Sequence, residues 1–120
     1  MGLDMYLSRR PKNSEDVGYW RKANAIHKWF VDNVQDGVDN CAEYVVYKSQ
    51  LELLRDTCKR VLEDHSLAEE LLPTESGFFF GSTEYNKWYF DDLETTVDII
   101  DKVLAETDFY NYDITYQSSW

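Results

Sequence analysis

His27 is the residue of this sequence best suited to proton chemistry, because imidazole titrates near neutral pH and His27 falls within a structured segment. At helical spacing it shares a face with Trp20 and Asn24, and Arg21 lies on a neighbouring face. Such a histidine could act as a general base or contact an anion. A lone helical histidine is more often a structural side chain with satisfied hydrogen bonds, and both interpretations stay open.

The second candidate is the stretch at residues 71–90, which is rich in glycine and aromatic residues. Its three consecutive phenylalanines at 78–80 cannot all lie on one face of a strand, because side chains alternate. Ser82 and Thr83 then follow Gly81 with free hydroxyls at an expected turn. The stretch is either a buried strand that ends in a glycine turn or the aromatic, hydroxyl-bearing wall of a ligand site.

Together the two segments predict one concave site for a planar, anionic ligand. Aromatic faces stack on bases with about 1–3 kcal/mol each, arginine contacts phosphate, and the N–H groups of a turn hold anionic oxygens. The alternative is that the aromatic rings only fill the core. The expected ligand-binding residues are Trp20, Arg21, Asn24, His27, Phe80, Gly81, Ser82 and Thr83.

Signals for catalysis or metal binding are weak. The sequence contains no G-x-S-x-G elbow, phosphate-binding glycine loop or C-x-x-C pair, and its two histidines are far apart. Cys41 and Cys58 are expected to stay reduced, with Cys58 on an apolar helical stripe. We therefore predict no catalytic residue, no metal and no cofactor, with a small enzyme using His27 as the least favoured function.

The charge of the chain is large and unevenly distributed. The net charge of −11 over 120 residues argues against direct binding to nucleic acid or to an anionic membrane. Residues 1–28 carry six Lys/Arg against three acids, for +3, so the remainder carries −14. This asymmetry favours an anionic ligand at the basic end or a protein partner for the acidic part. With no signal peptide or apolar span, a cytoplasmic protein is expected.

The elements that must position these residues follow from periodicity. Residues 3–8 alternate as a strand, and residues 9–18 are polar and form a loop. A first helix is expected from Tyr19, capped by Ser14 or Asp16 and ending between Asn33 and Asn40. The terminal segment, YNYDITYQSSW, alternates as a last strand.

Two segments resemble copies of one unit offset by 42 residues, with a strand followed by a helix of about four turns. The strands are EYVVY and YNKWYF, and the expected helix N-caps are Ser49 and Asp91, each with glutamate three residues later. Between the copies, SLAEELL predicts a short helix stopped by Pro73, and SGFFFGS predicts a strand. If residues 78–80 pair with residues 85–89, residues 81–84 are their turn. One α+β domain over residues 1–120 follows, with about three main helices on a small, mostly antiparallel sheet.

Three strings occur together: MGLDMYL, YWRKANAIHKWF and LLPTESGFFFGSTEY. With the closing YQSSW, this combination resembles a family of small proteins encoded by phages and prophages. The resemblance spans nearly the whole chain and implies an accessory protein that acts in the host bacterial cytoplasm. It implies no catalytic residue.

Three functions remain, in decreasing order of preference. The first is non-catalytic binding of a small anionic, nucleotide-like ligand, by which a phage protein would counteract host defence. The second is an acidic interaction protein that blocks a host protein or its nucleic-acid-binding surface. The third is the small enzyme, and a homo-oligomer stays possible with each.

Overall fold

The computed structural model describes residues 2–10, 15–77 and 80–120. The strands in these residues are β1 (Asp4–Arg10), β2 (Glu15–Arg21), β3 (Tyr44–Val46) and β4 (Asp113–Ser119). The helices are α1 (Asn24–Asn33), α2 (Lys48–Glu63), α3 (Ala68–Leu71) and α4 (Lys87–Glu106), and a 3-10 turn covers His65–Leu67.

The four strands form one antiparallel sheet in the order β2-β1-β4-β3. Alternation in the two central strands turns Met5 and Leu7 of β1, and Ile114 and Tyr116 of β4, to the covered face, where none has exposed surface. These side chains share one core with apolar residues of all three long helices. The α+β prediction, with three main helices on an antiparallel sheet, is therefore confirmed.

The elements at both ends of the chain agree with their sequence patterns. The first strand appears as β1, and the last appears as β4, which pairs with both β1 and β3. The short helix before Pro73 is α3. The tyrosines of the terminal segment differ in burial. Tyr116 is buried in β4, whereas Tyr110 precedes the strand and is 94% exposed.

The predicted helix start at Tyr19 is wrong, because residues 15–21 form strand β2. Tyr19 pairs with Tyr6, and Trp20 pairs with Met5. The backbone N–H and C=O groups of this segment therefore bond to β1 instead of forming helical hydrogen bonds. Helix α1 begins only at Asn24. Asp16 consequently lies in a strand and caps no helix, and Ser14 lies outside the described residues.

Both predicted N-caps are also wrong, because each helix begins earlier than expected. Helix α2 begins at Lys48, where the Gln50 side chain accepts from the backbone N–H of Tyr47 at 2.8 Å, so Ser49 is inside the helix. Helix α4 begins at Lys87, and the Asn86 side chain accepts from the backbone N–H of Tyr89 at 3.2 Å. Asp91 lies one turn further on and pairs with Lys87 at 2.7 Å.

The hairpin predicted for residues 76–89 is therefore absent from the described residues. Phe78 and Phe79 lie outside them, and neither Phe80 nor residues 81–85 belong to a strand. The predicted strand YNKWYF is instead the approach to α4 and its first turn. Helix α4 packs closely on β2, because a Cβ atom at Gly18 would lie 2.6 Å from the side chain of Ile99.

None of the helices in the described part of the chain has the length and apolar character needed to cross a membrane.

Candidate functional site

Asn24, the first residue of α1, joins this helix to the loop that precedes α4. Its amide nitrogen donates to the backbone carbonyls of Phe80 at 3.0 Å and Ser82 at 2.8 Å. Its amide oxygen accepts from the backbone N–H of Glu75 at 3.0 Å. The two predicted segments therefore meet at a buried asparagine whose donors are both used by the protein. Asn24 positions the loop, and its side chain is not free for a ligand.

Three of the predicted ligand contacts lie in the interior. Trp20 is 3% exposed, and its indole N–H donates to the hydroxyl of Thr96 at 2.9 Å. His27 has no exposed surface, and the ring of Phe80 meets it edge-on at 5.4 Å between centroids. Because these rings are buried against other core residues, neither Trp20 nor Phe80 offers a free face for stacking.

Both ring nitrogens of His27 have protein partners. Nδ1 lies 2.6 Å from the hydroxyl of Tyr116, and Nε2 lies 3.0 Å from each carboxylate oxygen of Asp39. Asp39 also accepts from the indole N–H of Trp120 at 3.0 Å. We call His27, Asp39, Tyr116 and Trp120 the His27 cluster. The cluster connects α1 to β4 and to Trp120, so His27 has a structural role in the fold.

A cavity of about 300 Å³ lies next to this loop, on the side of α4. We call it the turn–helix cavity, because its walls are the turn between β2 and α1 and the first turns of α4, with the loop between them. Its polar and aromatic lining comprises Arg21, Lys22, Asn24, Thr74, Gly81, Ser82, Glu84, Asn86, Trp88, Tyr89 and Asp92. The predicted residues Arg21, Asn24, Gly81 and Ser82 therefore line one cavity, whereas Trp20, His27, Phe80 and Thr83 do not.

The turn contributes the positive charges of the cavity. Lys22 has a left-handed backbone with φ of 57°, held by a hydrogen bond from its N–H to the carbonyl of Leu3 at 2.7 Å. Gly81 has φ of 87°, and a Cβ atom there would lie 3.2 Å from Cβ of Lys22. A left-handed lysine is uncommon and strained. Arg21 pairs with Asp4 at 3.2 Å, whereas Lys22 has no ion pair within the described residues.

Helix α4 contributes an aromatic ring and a carboxyl group. Trp88 is 71% exposed at the rim. Burial, and secondarily the charge of Asp91, raises the pKa of Asp92 to about 6 from an ordinary 3.8. The hydroxyl of Tyr89 donates to the carbonyl of Leu72 at 2.7 Å, and burial raises its pKa, so it remains a neutral structural group.

The hydroxyl groups of Thr74 and Ser82 form hydrogen bonds within the loop. The hydroxyl of Thr74 donates to the carbonyl of Thr83 at 2.9 Å, and the hydroxyl of Ser82 accepts from the N–H of Glu84 at 3.1 Å. Ser82 lines the cavity with a hydroxyl proton that can still be donated. The loop thus contributes one donor rather than the two hydroxyls expected.

Seven polar or aromatic lining residues escaped the sequence analysis: Lys22, Thr74, Glu84, Asn86, Trp88, Tyr89 and Asp92. Lys22 directly follows Arg21, so a signal was present. Trp88 and Asp92 are spaced as neighbours on a helix, but assigning residues 85–90 to a strand concealed that relation. Glu84 carried no distinguishing signal.

The described residues contain no group of three or more histidine, cysteine or acidic side chains that could hold a metal ion. Cys41 and Cys58 are free thiols, and burial raises the pKa of Cys58 to about 12. No protein-family model, curated protein or solved structure matches this chain.

Proposed function

We propose that this protein binds a small anionic, nucleotide-like ligand in the turn–helix cavity and does not transform it. One observation carries the proposal: the cavity brings together an arginine, a largely exposed tryptophan and a lysine that has no ion pair among the described residues. These are the groups that bind a phosphate and a planar ring. The cavity volume of about 300 Å³ is at the small end of ligand pockets, which suits a mononucleotide-sized molecule.

The phosphate half of the proposed site is the β2–α1 turn. Lys22 is exposed and extends from a backbone that two neighbours hold in place, Leu3 through its carbonyl and Gly81 through close packing. Arg21 has five guanidinium donors and uses one of them on Asp4, and its side chain is half exposed, so the others are accessible to a ligand. A phosphate at this position would gain charge-assisted hydrogen bonds.

Binding is favoured over catalysis by what lines the cavity. Among the described residues that line it, none is a histidine or a cysteine. His27, the candidate base, has both nitrogens engaged and no exposed surface. A nucleophile such as Ser82 would need an oriented base to be activated.

Resemblance to the phage and prophage family supplies the biological setting of the proposal. In that setting the protein acts in the host cytoplasm and counteracts host defence by sequestering a nucleotide signal. A defence-proficient host that expresses the wild-type protein should then plate phage better than the same host expressing Lys22→Ala. Equal plating by the two strains would contradict sequestration through this cavity.

Calorimetric titration with nucleoside monophosphates tests the binding proposal directly. Lys22→Ala should weaken binding about tenfold, since a hydrogen bond to a charged group contributes roughly 1.5–3 kcal/mol. The weakening should shrink at high salt, because screening reduces a charge contact. Lys59→Ala on the exposed face of α2 is the matched control and should bind as the wild type does. Absence of heat with every nucleotide, or equal affinities of the two variants, would refute the proposal.

A second candidate function rests on a row of acids along α4. Asp91, Glu94, Asp98 and Asp101 recur at spacings of three and four, which places them on one face. This row favours a basic surface on a host protein as the partner. Its two ends are partly neutralised, by Lys87 at 2.7 Å and by Arg55 at 3.6 Å, so the cavity remains the stronger candidate.

The acidic row has its own test. If it blocks a nucleic-acid-binding surface, the protein should displace a basic host protein from immobilised duplex DNA. Replacing Glu94 and Asp98 together with lysine should abolish that displacement, whereas Lys22→Ala should leave it intact. Displacement that survives the double replacement would exclude this role for α4.

A further inference from the structure

The α4 wall of the turn–helix cavity pairs an aromatic ring with a carboxyl group. Trp88 and Asp92 are four residues apart in the helix, and both line the cavity. Side chains at this spacing are neighbours on a helix surface, with Cβ atoms about 5–6 Å apart. A planar base stacked on Trp88 would therefore present its edge to Asp92.

Asp92 is partly buried in the cavity wall. Its backbone carbonyl accepts from the hydroxyl of Thr96 at 2.7 Å. In residues 2–10, 15–77 and 80–120, however, no side chain or N–H group donates to its carboxylate. Partial burial without a protein donor disfavours the charged carboxylate, and this burial raises the pKa of Asp92 to about 6. A ligand that supplies N–H donors would relieve this cost.

The charges around the cavity set where each part of a nucleotide would lie. Arg21 ends β2 and Lys22 follows it in the turn, whereas Asp92 lies in the second turn of α4. Glu84 is the other acid that lines the cavity, and Asp91 neighbours Asp92 on its own helix. A phosphate is attracted to the turn and repelled by the α4 acids, so the base is the part that meets Asp92.

Among the nucleobases, guanine best fits a carboxylate at this position. Its Watson–Crick edge carries two adjacent donors, N1–H and the exocyclic amino group, and a carboxylate can accept from both. Adenine presents an unprotonated ring nitrogen beside its amino group, and the lone pair of this nitrogen would be repelled by the carboxylate. A good bidentate pair discriminates between bases by roughly tenfold or more.

We infer that Trp88 and Asp92 form the base-recognition half of this site and that the ligand is a guanine nucleotide. The inference rests on the proposed function, because it names the base of the nucleotide that the cavity would bind. Trp88 supplies the stacking face, and Asp92 reads the edge of the base.

Titration with GMP and AMP at about pH 8, where Asp92 is ionised, tests the inference. The wild type should bind GMP at least tenfold more tightly than AMP. Asp92→Asn should remove most of this ratio, because the amide replaces one of the two acceptor oxygens with an NH2 donor, which opposes guanine and can pair with adenine. The ratio is the readout, since removing a negative charge can strengthen binding of both nucleotides. Trp88→Ala should weaken both nucleotides about equally.

Glu94→Gln is the matched control, because it removes one negative charge from α4 outside the cavity. It should keep the wild-type preference for GMP. Equal binding of GMP and AMP by the wild type would overturn the base assignment and leave nucleotide binding in place. A GMP preference that persists in Asp92→Asn would overturn the role of Asp92. If neither nucleotide binds, both the inference and the proposed function fail.

Discussion

The His27 cluster and the turn–helix cavity border the same loop, yet they use their polar groups in opposite ways. In the cluster, His27 and Asp39 bond each other, and each bonds a further aromatic partner. In the cavity, Lys22 has no ion pair and the Asp92 carboxylate has no donor within the described residues. Satisfied polar groups hold a fold together, whereas unsatisfied ones near solvent are available to a ligand. His27, the residue best suited to proton chemistry, is thus a structural residue.

Asn24 lies between the two regions and fixes the loop that both of them contact. Its contacts to Phe80 and Ser82 place the ring of Phe80 against His27 and the backbone of Ser82 at the cavity. Substitutions in the cluster should therefore change stability most, and substitutions in the cavity should change binding most.

The largest effect is expected for His27→Ala. The substitution leaves the Tyr116 hydroxyl without a partner and creates a hole in the core, at a cost of about 3 kcal/mol. Urea unfolding monitored by tryptophan fluorescence measures the loss. Lys22→Ala, which leaves the left-handed backbone unchanged, is the control and should stay within about 0.5 kcal/mol of the wild type. A loss below about 1 kcal/mol for His27→Ala would mean that the cluster is not structural.

Asn24→Ala should have the next largest effect and should act on both regions. It leaves two carbonyls and one N–H without partners, so we expect a loss of about 2 kcal/mol. Because the loop is released, nucleotide binding should weaken as well, even where the protein is fully folded. Asn24→Asp tests the same clamp, since a carboxylate cannot donate to Phe80 and Ser82 and should be no better than alanine. Full stability of either variant would contradict the clamp.

Asp92→Asn should change stability in the opposite direction and with a defined pH dependence. The pKa of Asp92 in the folded protein, about 6, lies above its ordinary 3.8, so folding favours the protonated form. That contribution is complete below pH ~4 and is lost as the pH rises through ~6. The neutral amide should match the wild type at low pH and exceed it at neutral pH by about 1 kcal/mol, after allowance for solvent. A difference that does not vary with pH would show that Asp92 is not desolvated.

The smallest stability effect is expected for Lys22→Gly. This variant separates the effect of backbone strain on stability from the effect of the ammonium group on binding. Glycine adopts φ of 57° without a steric penalty, so stability should rise by at most about 1 kcal/mol. Nucleotide affinity should fall about as far as in Lys22→Ala, because both variants lose the same ammonium group. Retained affinity in both variants would show that the ammonium group of Lys22 does not hold the anion.

Alternation and helical periodicity predicted the parts of the fold whose pattern is long and regular. Met5 and Leu7 in β1, and Leu51, Leu54 and Cys58 in α2, are buried as their spacing requires. The predicted helix starts were wrong. The position of the cap depends on which backbone N–H groups have no helical partner, and the sequence pattern does not show this. Asn86 rather than Asp91 occupies that position in α4.

The candidate site was predicted in part for the same reason. That α1 and the loop before α4 would meet followed from the polar residues of both segments, and Arg21, Asn24, Gly81 and Ser82 do line one cavity. Helical spacing grouped Trp20 with His27, but Trp20 lies in β2 and reaches the core from the sheet. Which side of a strand faces inward depends on its pairing partner, and that pairing is not local information.

By itself, the sequence determined the α+β class, the three long helices, the first and last strands of the chain and the unequal charge of its two parts. These properties arise from composition and short-range periodicity. Only the tertiary structure decided that His27 is a structural group, that Trp88 and Asp92 share one face of α4, and that Lys22 is left unpaired among the described residues. The physical reason is that a polar group becomes structural or available through its partners, and those partners come from elements distant in sequence, such as Tyr116 for His27.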